Sequence, residues 1–99
     1  MTNPSLSPPE LDMLRSVFQR HPEITSVKLF GSRAKGTHSA SSDVDLALWG
    51  TVNSLEAEAI AAELDDLPLP YRYEAKPFSR ITLPALREHI ERVGIDIYP

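Results

Sequence analysis

Apolar side chains recur at three- and four-residue steps near the start of the chain, a pattern that predicts an amphipathic helix over residues 8–20 with Leu11, Leu14, Val17 and Phe18 on its buried stripe. Ser7, Pro8 and Glu10 supply its beginning: a hydroxyl at the cap, proline at the first helical position and a Glu three residues on. Pro22 stops it. From Ser26 to Phe30 the pattern becomes strand-like, and Gly31 breaks it. Residues 35–42 are small and polar and read as a loop. Residues 43–49 resemble a second strand, with Val44, Leu46 and Leu48 on one face.

A second long helix is predicted over 54–66, carrying Leu55, Ala59, Ala62 and Leu64 among good helix formers, with Ser54 as its cap and Pro68 and Pro70 beyond its end. Residues 69–76 read as a third strand. Residues 84–93 read as a last helix, with Thr82 or Leu83 near its cap and Gly94 as its stop, and 95–98 as a short fourth strand. This order predicts an α+β fold, a small mixed β-sheet with helices packed on one face and the other face left for a ligand.

A length of 99 residues implies a single domain spanning 1–99, and 41% apolar with 24% charged residues is an ordinary globular balance. No apolar run reaches membrane-spanning length, and the polar, proline-rich start lacks the features of a secretory signal, so a cytoplasmic location is the default expectation. With no cysteine in the chain, a metal would need oxygen or imidazole ligands. The net charge of −4 is the wrong sign for holding nucleic acid through its phosphates. Locally the sign reverses: Lys28, Arg33 and Lys35 surround a glycine pair and point to a small anionic ligand.

The informative constellation is the run Gly31-Ser32-Arg33-Ala34-Lys35-Gly36, then six intervening residues, then Asp43-Val44-Asp45. Side chains alternate along a strand, so Asp43 and Asp45 project from the same face. Two like charges side by side repel, and a divalent cation such as Mg²⁺ relieves them. Glycine before Ser32 lets a phosphate approach the backbone, the amides and the Ser32 hydroxyl can donate to its oxygens, and Arg33 and Lys35 add charge. Taken singly, a Gly-Ser pair is more often a turn and an Asp-x-Asp more often a solvated strand edge. Their joint occurrence accounts both for the cationic loop and for the acids that interrupt the strand.

Leu29 to Gly36 together with Ser42-Asp43-Val44-Asp45-Leu46 resembles the signature of the DNA polymerase β nucleotidyltransferase superfamily. In size and in its closing run from Leu86 to Tyr98 the chain is similar to the minimal nucleotidyltransferase (MNT) branch. That resemblance implies a palm-like nucleotidyltransferase fold, ATP as nucleotide donor, two Mg²⁺ ions, and a third carboxylate on a later strand, the position taken here by Glu74 where Asp is usual. It also implies an antitoxin role beside a HEPN-type ribonuclease toxin, with AMP transferred to a tyrosine of that partner. Gly31, Ser32, Arg33 and Lys35 would then hold the nucleotide, and Asp43, Asp45 and Glu74 the metal and the chemistry. Residue-level reasoning leaves Glu74 open between a ligand and a solvated acid paired with Arg72 or Lys76.

An alternative of a different class is a weak or inactive MNT domain that neutralises its partner by binding alone, as a homo- or hetero-oligomer. Aminoglycoside modification is a third reading, set back by the extra domains such enzymes carry. Asp96 is a weaker acidic candidate, and Asp65 and Asp66 read as surface charges. His21, His38 and His89 lie on separate elements without metal-ligand spacing. Trp49, Tyr71 and Tyr73 read as packing residues rather than base-stacking ones.

Overall fold

The computed structural model describes residues 6–36 and 43–99. Helix α1 (Pro8–Gln19) is followed by strand β1 (Ile24–Phe30), a single helical turn α2 (Ser32–Lys35), β2 (Val44–Gly50), α3 (Ser54–Asp65), β3 (Tyr73–Pro77), a 3-10 turn at Phe78–Arg80, α4 (Pro84–Val93) and β4 (Ile95–Tyr98). The capping box that opens α1 is present, with Ser7 and Glu10 each accepting from the other's backbone amide, and the expected stripe of Leu11, Leu14, Val17 and Phe18 is buried.

The four strands form one mixed sheet in the order β3-β2-β1-β4. β1 pairs antiparallel with β2 and with β4, and β2 pairs parallel with β3. A parallel neighbour requires a crossover, and α3 provides it. Alternation along the central strands sends Val27, Leu29, Val44, Leu46 and Leu48 to one face, where α1 and α3 cover them with Leu14, Phe18, Ile60 and Leu64. Each such side chain contributes about 1.5–3 kcal/mol on full burial.

Three expectations are refined. The expected packing of helices on one face holds for α1 and α3, whereas α4 lies across the opposite face, where Ile90 and the partly buried Leu86 join Phe30, Ala47, Phe78 and Ile81 in a second, smaller cluster. Phe30, Ala47 and Trp49 make that face too apolar to stay open along its whole length. Asn53, not Ser54, caps α3, in a reciprocal pair with Glu56, and the buried stripe is Ala57, Ile60 and Leu64, leaving Leu55 74% exposed. β3 begins at Tyr73 rather than residue 69, after the prolines at 68 and 70 have carried the chain across in turns. The expected loop over 35–42 lies outside the described residues apart from Lys35 and Gly36.

Candidate active site

β1 delivers the chain to Gly31, whose φ of +77° belongs to the region that favours glycine. A Cβ at this position would overlap Oδ2 of Asp45. Glycine is therefore required twice here, by the backbone turn and by the carboxylate pressed against it. Gly31 opens α2, with the Lys35 amide donating to the Gly31 carbonyl at 3.1 Å, and Gly36, at φ +78°, closes the turn in the left-handed conformation.

The register brings the acids together. Phe30 on β1 stands opposite Asp45 on β2, and Asp45 stands beside Glu74 on β3, so one row across the sheet reads Phe30-Asp45-Glu74. These side chains share the face of the smaller cluster, with Phe30 buried against α4 and Glu74 exposed at the far strand. Asp43, exposed, precedes β2 by one position. Burial first, then the charges of Glu74 and Asp43 and a hydrogen bond with Glu74, push the Asp45 carboxyl up to about 6. The cation that opposes this rise is Lys76, whose Nζ is 3.9 Å from Glu74 Oε1.

Crowded carboxylates of this kind are the hard oxygen donors that Mg²⁺ prefers. Among the described residues no group of three His, Cys, Asp or Glu side chains is drawn together as a ready-made cation cage.

The basic residues separate. Arg33 is buried, at 3% exposure, with its guanidinium 4.7 Å from the centre of the Tyr71 ring. The Tyr71 hydroxyl donates to Glu10 Oε2 at 2.8 Å, so Arg33 and Tyr71 tie α2 to the start of α1. Lys35 is exposed and borders a cavity of about 430 Å³ together with Arg92 and Gly94. Lys28 is turned toward Asp96, 3.8 Å away, and lies 6.0 Å from the Trp49 ring centre. The sequence pattern alone grouped Lys28, Arg33 and Lys35 around one anion. The fold instead places Lys76 nearest the carboxylates, a residue that sequence reasoning met only as a surface partner for Glu74. Its signal was the two-residue spacing from Glu74 on a common strand face.

The remaining candidates are packing groups. Trp49 stacks on Phe78 with ring centres 4.4 Å apart, Tyr73 is buried, and Asp96 belongs to the Lys28 pair at the other edge of the sheet. His21 sits between Glu23 and Glu63, at 3.2 and 2.6 Å, remote from the acid row. His89 lies edge-on to Phe30 at 6.4 Å, and His38 is outside the described residues.

The polymerase beta nucleotidyltransferase family model matches residues 12–99. The chain belongs to the polymerase beta nucleotidyltransferase family. A toxin–antitoxin structure with AMP-PNP superposes with a TM-score of 0.74 at 19% identity, over 93% of this chain and 73% of the other. A complex of a tri-AMPylated Shewanella oneidensis HEPN toxin with its MNT antitoxin matches with a TM-score of 0.68 at 14% identity, over 89% of this chain and 68% of the other. A candidate minimal nucleotidyltransferase, at 26% identity, covers 88% of each chain with a TM-score of 0.68. No curated protein matches the chain. Its nucleotidyltransferase fold thus has minimal nucleotidyltransferases of toxin–antitoxin pairs among its structural neighbours.

Proposed function

We propose that this nucleotidyltransferase domain transfers AMP from ATP, with Mg²⁺, to a tyrosine hydroxyl of a partner HEPN ribonuclease toxin and so acts as its cytoplasmic antitoxin. The observation that carries the reading is the contact of the Gly31 backbone with the Asp45 carboxylate, which sets the glycine turn that opens α2 directly beside Asp45 and Glu74. The structural neighbours support it, one described with AMP-PNP and another with a tri-AMPylated HEPN toxin.

In this reading Asp43, Asp45 and Glu74 would hold two Mg²⁺ ions, which would offset phosphate charge and favour ionisation of the attacking hydroxyl. The amides around Gly31 and the Ser32 hydroxyl hold the outer phosphates. Lys35 and Lys76 add positive charge at either side. Arg33 acts through its stacking on Tyr71, holding α2 in place. The acceptor oxygen forms a bond to the α-phosphorus, the bond to the bridging oxygen breaks, pyrophosphate leaves, and a carboxylate of the row takes the hydroxyl proton.

A second reading, neutralisation by binding alone, is favoured by Glu74: its side chain is 58% exposed and paired with Lys76, as an ordinary surface acid would be. Intact-mass measurement of the co-purified partner after incubation with ATP and Mg²⁺ separates the two. Additions of whole AMP units, lost when Asp43 and Asp45 are both changed to Asn, are expected. An unmodified partner that is nonetheless inhibited stoichiometrically would overturn transfer and leave binding alone.

A further inference from the structure

β3 is an edge strand, and its outer side is unpaired among the described residues. The phase of the ladder is set where the Val44 amide donates to the Arg72 carbonyl at 2.8 Å, so that even-numbered residues of this strand bond to β2. The backbone groups of Tyr73 and Ala75 therefore point away from the sheet. Native proteins commonly cover or charge such an edge, because its free amides and carbonyls are a template for another strand.

Two adjoining cavities run along this edge and share Glu58, Ala75 and Lys76. One, of about 380 Å³, reaches Asp65 and Glu74, and the other, of about 190 Å³, reaches Ser54 and Ile81. The α3 wall is acidic: no lysine or arginine occurs between Ser54 and Tyr71, while Glu58 and Asp65 are exposed on that flank, and the cations of the groove, Lys76 and Arg80, stand on β3 and on the turn after it, across from α3. The larger cavity is lined by the small side chains of Ala61, Ala62 and Ala75.

We propose that the outer edge of β3 and the α3 flank beside it form a docking groove for an extended, basic segment of a partner protein, which joins the sheet as a fifth strand. Main-chain bonds to Tyr73 and Ala75 hold the segment, and its lysines or arginines meet Glu58 and Asp65. A second copy of this chain is a poorer occupant, since pairing two such edges would set the acidic α3 flanks of the two copies, Glu58 and Asp65 in each, beside one another with no basic segment between them. An added strand also extends the row Phe30-Asp45-Glu74 by one position, roughly 5 Å beyond Glu74. On the proposed transfer reaction, a hydroxyl-bearing side chain at that position is delivered to the carboxylates. Docking itself does not require that reaction.

The test uses the full chain without nucleotide or metal, so that docking and transfer fail separately. An acetylated peptide of about seven residues, alternating lysine and valine, spans the strand and is titrated while backbone amide shifts are followed. Expected are shifts concentrated at Tyr73 to Lys76 and along α3 from Glu58 to Asp65, with affinity reduced about tenfold by Ala75→Pro, which removes an outward amide. Glu58→Lys, at an exposed site that leaves the edge intact, should weaken binding similarly and flatten its salt dependence. Equal binding of a glutamate–valine peptide, or shifts confined to α4, would overturn the proposal. So would a concentration-dependent dimer that Ala75→Pro abolishes, which would make the occupant a second copy.

Discussion

Asp45 and Glu74 stand side by side on two parallel strands and share a hydrogen bond, with the Asp45 carboxyl raised to about 6 by burial and by its acidic neighbours. A group whose folded pKa lies above its unfolded value of 3.8 favours the folded state while protonated. That contribution is full below about pH 4 and is lost as pH rises through about 6. In EDTA, the melting temperature should therefore fall over this window on account of Asp45, and Asp45→Asn should flatten the fall and raise stability above it. Mg²⁺ at neutral pH should stabilise the wild type and not the variant. Thermal unfolding followed by circular dichroism at several pH values checks this; identical pH profiles for both proteins would count against it.

Gly31→Ala tests the double requirement for glycine. A side chain there meets both a backbone region that is nearly glycine-only and the Asp45 carboxylate. A loss of about 1–3 kcal/mol in urea unfolding is expected, together with weaker Mg²⁺ binding as Asp45 is displaced. Gly36→Ala, where nothing lies within 4 Å of the added carbon, should show strain alone and leave metal binding unchanged.

Ser32 and Arg33 are neighbours with opposite expected behaviour. Ser32→Ala should reduce triphosphate affinity by about 1–3 kcal/mol with little change in melting temperature, since it removes a donor to a charged acceptor. Arg33→Ala should destabilise the fold by about 1–3 kcal/mol, because the buried guanidinium packs on Tyr71. Calorimetric titration with a non-hydrolysable ATP analogue, paired with urea unfolding, distinguishes them. A stability loss at Ser32 without an affinity change would make it a turn residue.

Glu74 decides between transfer and mere binding. Glu74→Asp should keep or raise AMP transfer, while Glu74→Gln, equal in size but uncharged, should suppress it. An exposed pair such as Glu74 with Lys76 is worth no more than about 1 kcal/mol, so neither variant should unfold the domain. The mass of the partner is the readout, and unchanged transfer in both variants would remove Glu74 from the chemistry.

Much of this arrangement is legible in local pattern. The capping box and stripe of α1, the break at Gly31, and the placement of Val44, Leu46 and Leu48 on the core face with Asp45 opposite all follow from periods of 3.6 and 2, which neighbouring residues alone impose. The motif from Gly31 to Asp45 was sufficient to indicate the family. Other features depend on which surfaces meet. In α3 the alanines and leucines could supply more than one apolar face, and only docking on β2 and β3 selects Ala57, Ile60 and Leu64 while leaving Leu55 in solvent. α4 crosses the second face because Phe30 and Ala47, apart in sequence, together form an apolar patch there. The seating of Gly31 on Asp45, the burial of Arg33 against Tyr71 and the approach of Glu74 and Lys76 to Asp45 join residues from separate elements. The Glu74–Lys76 pair could be read from their two-residue spacing on one strand, but spacing along the chain carries no trace of the contacts across elements, because strand register and the parallel crossover through α3 set them only in the folded sheet.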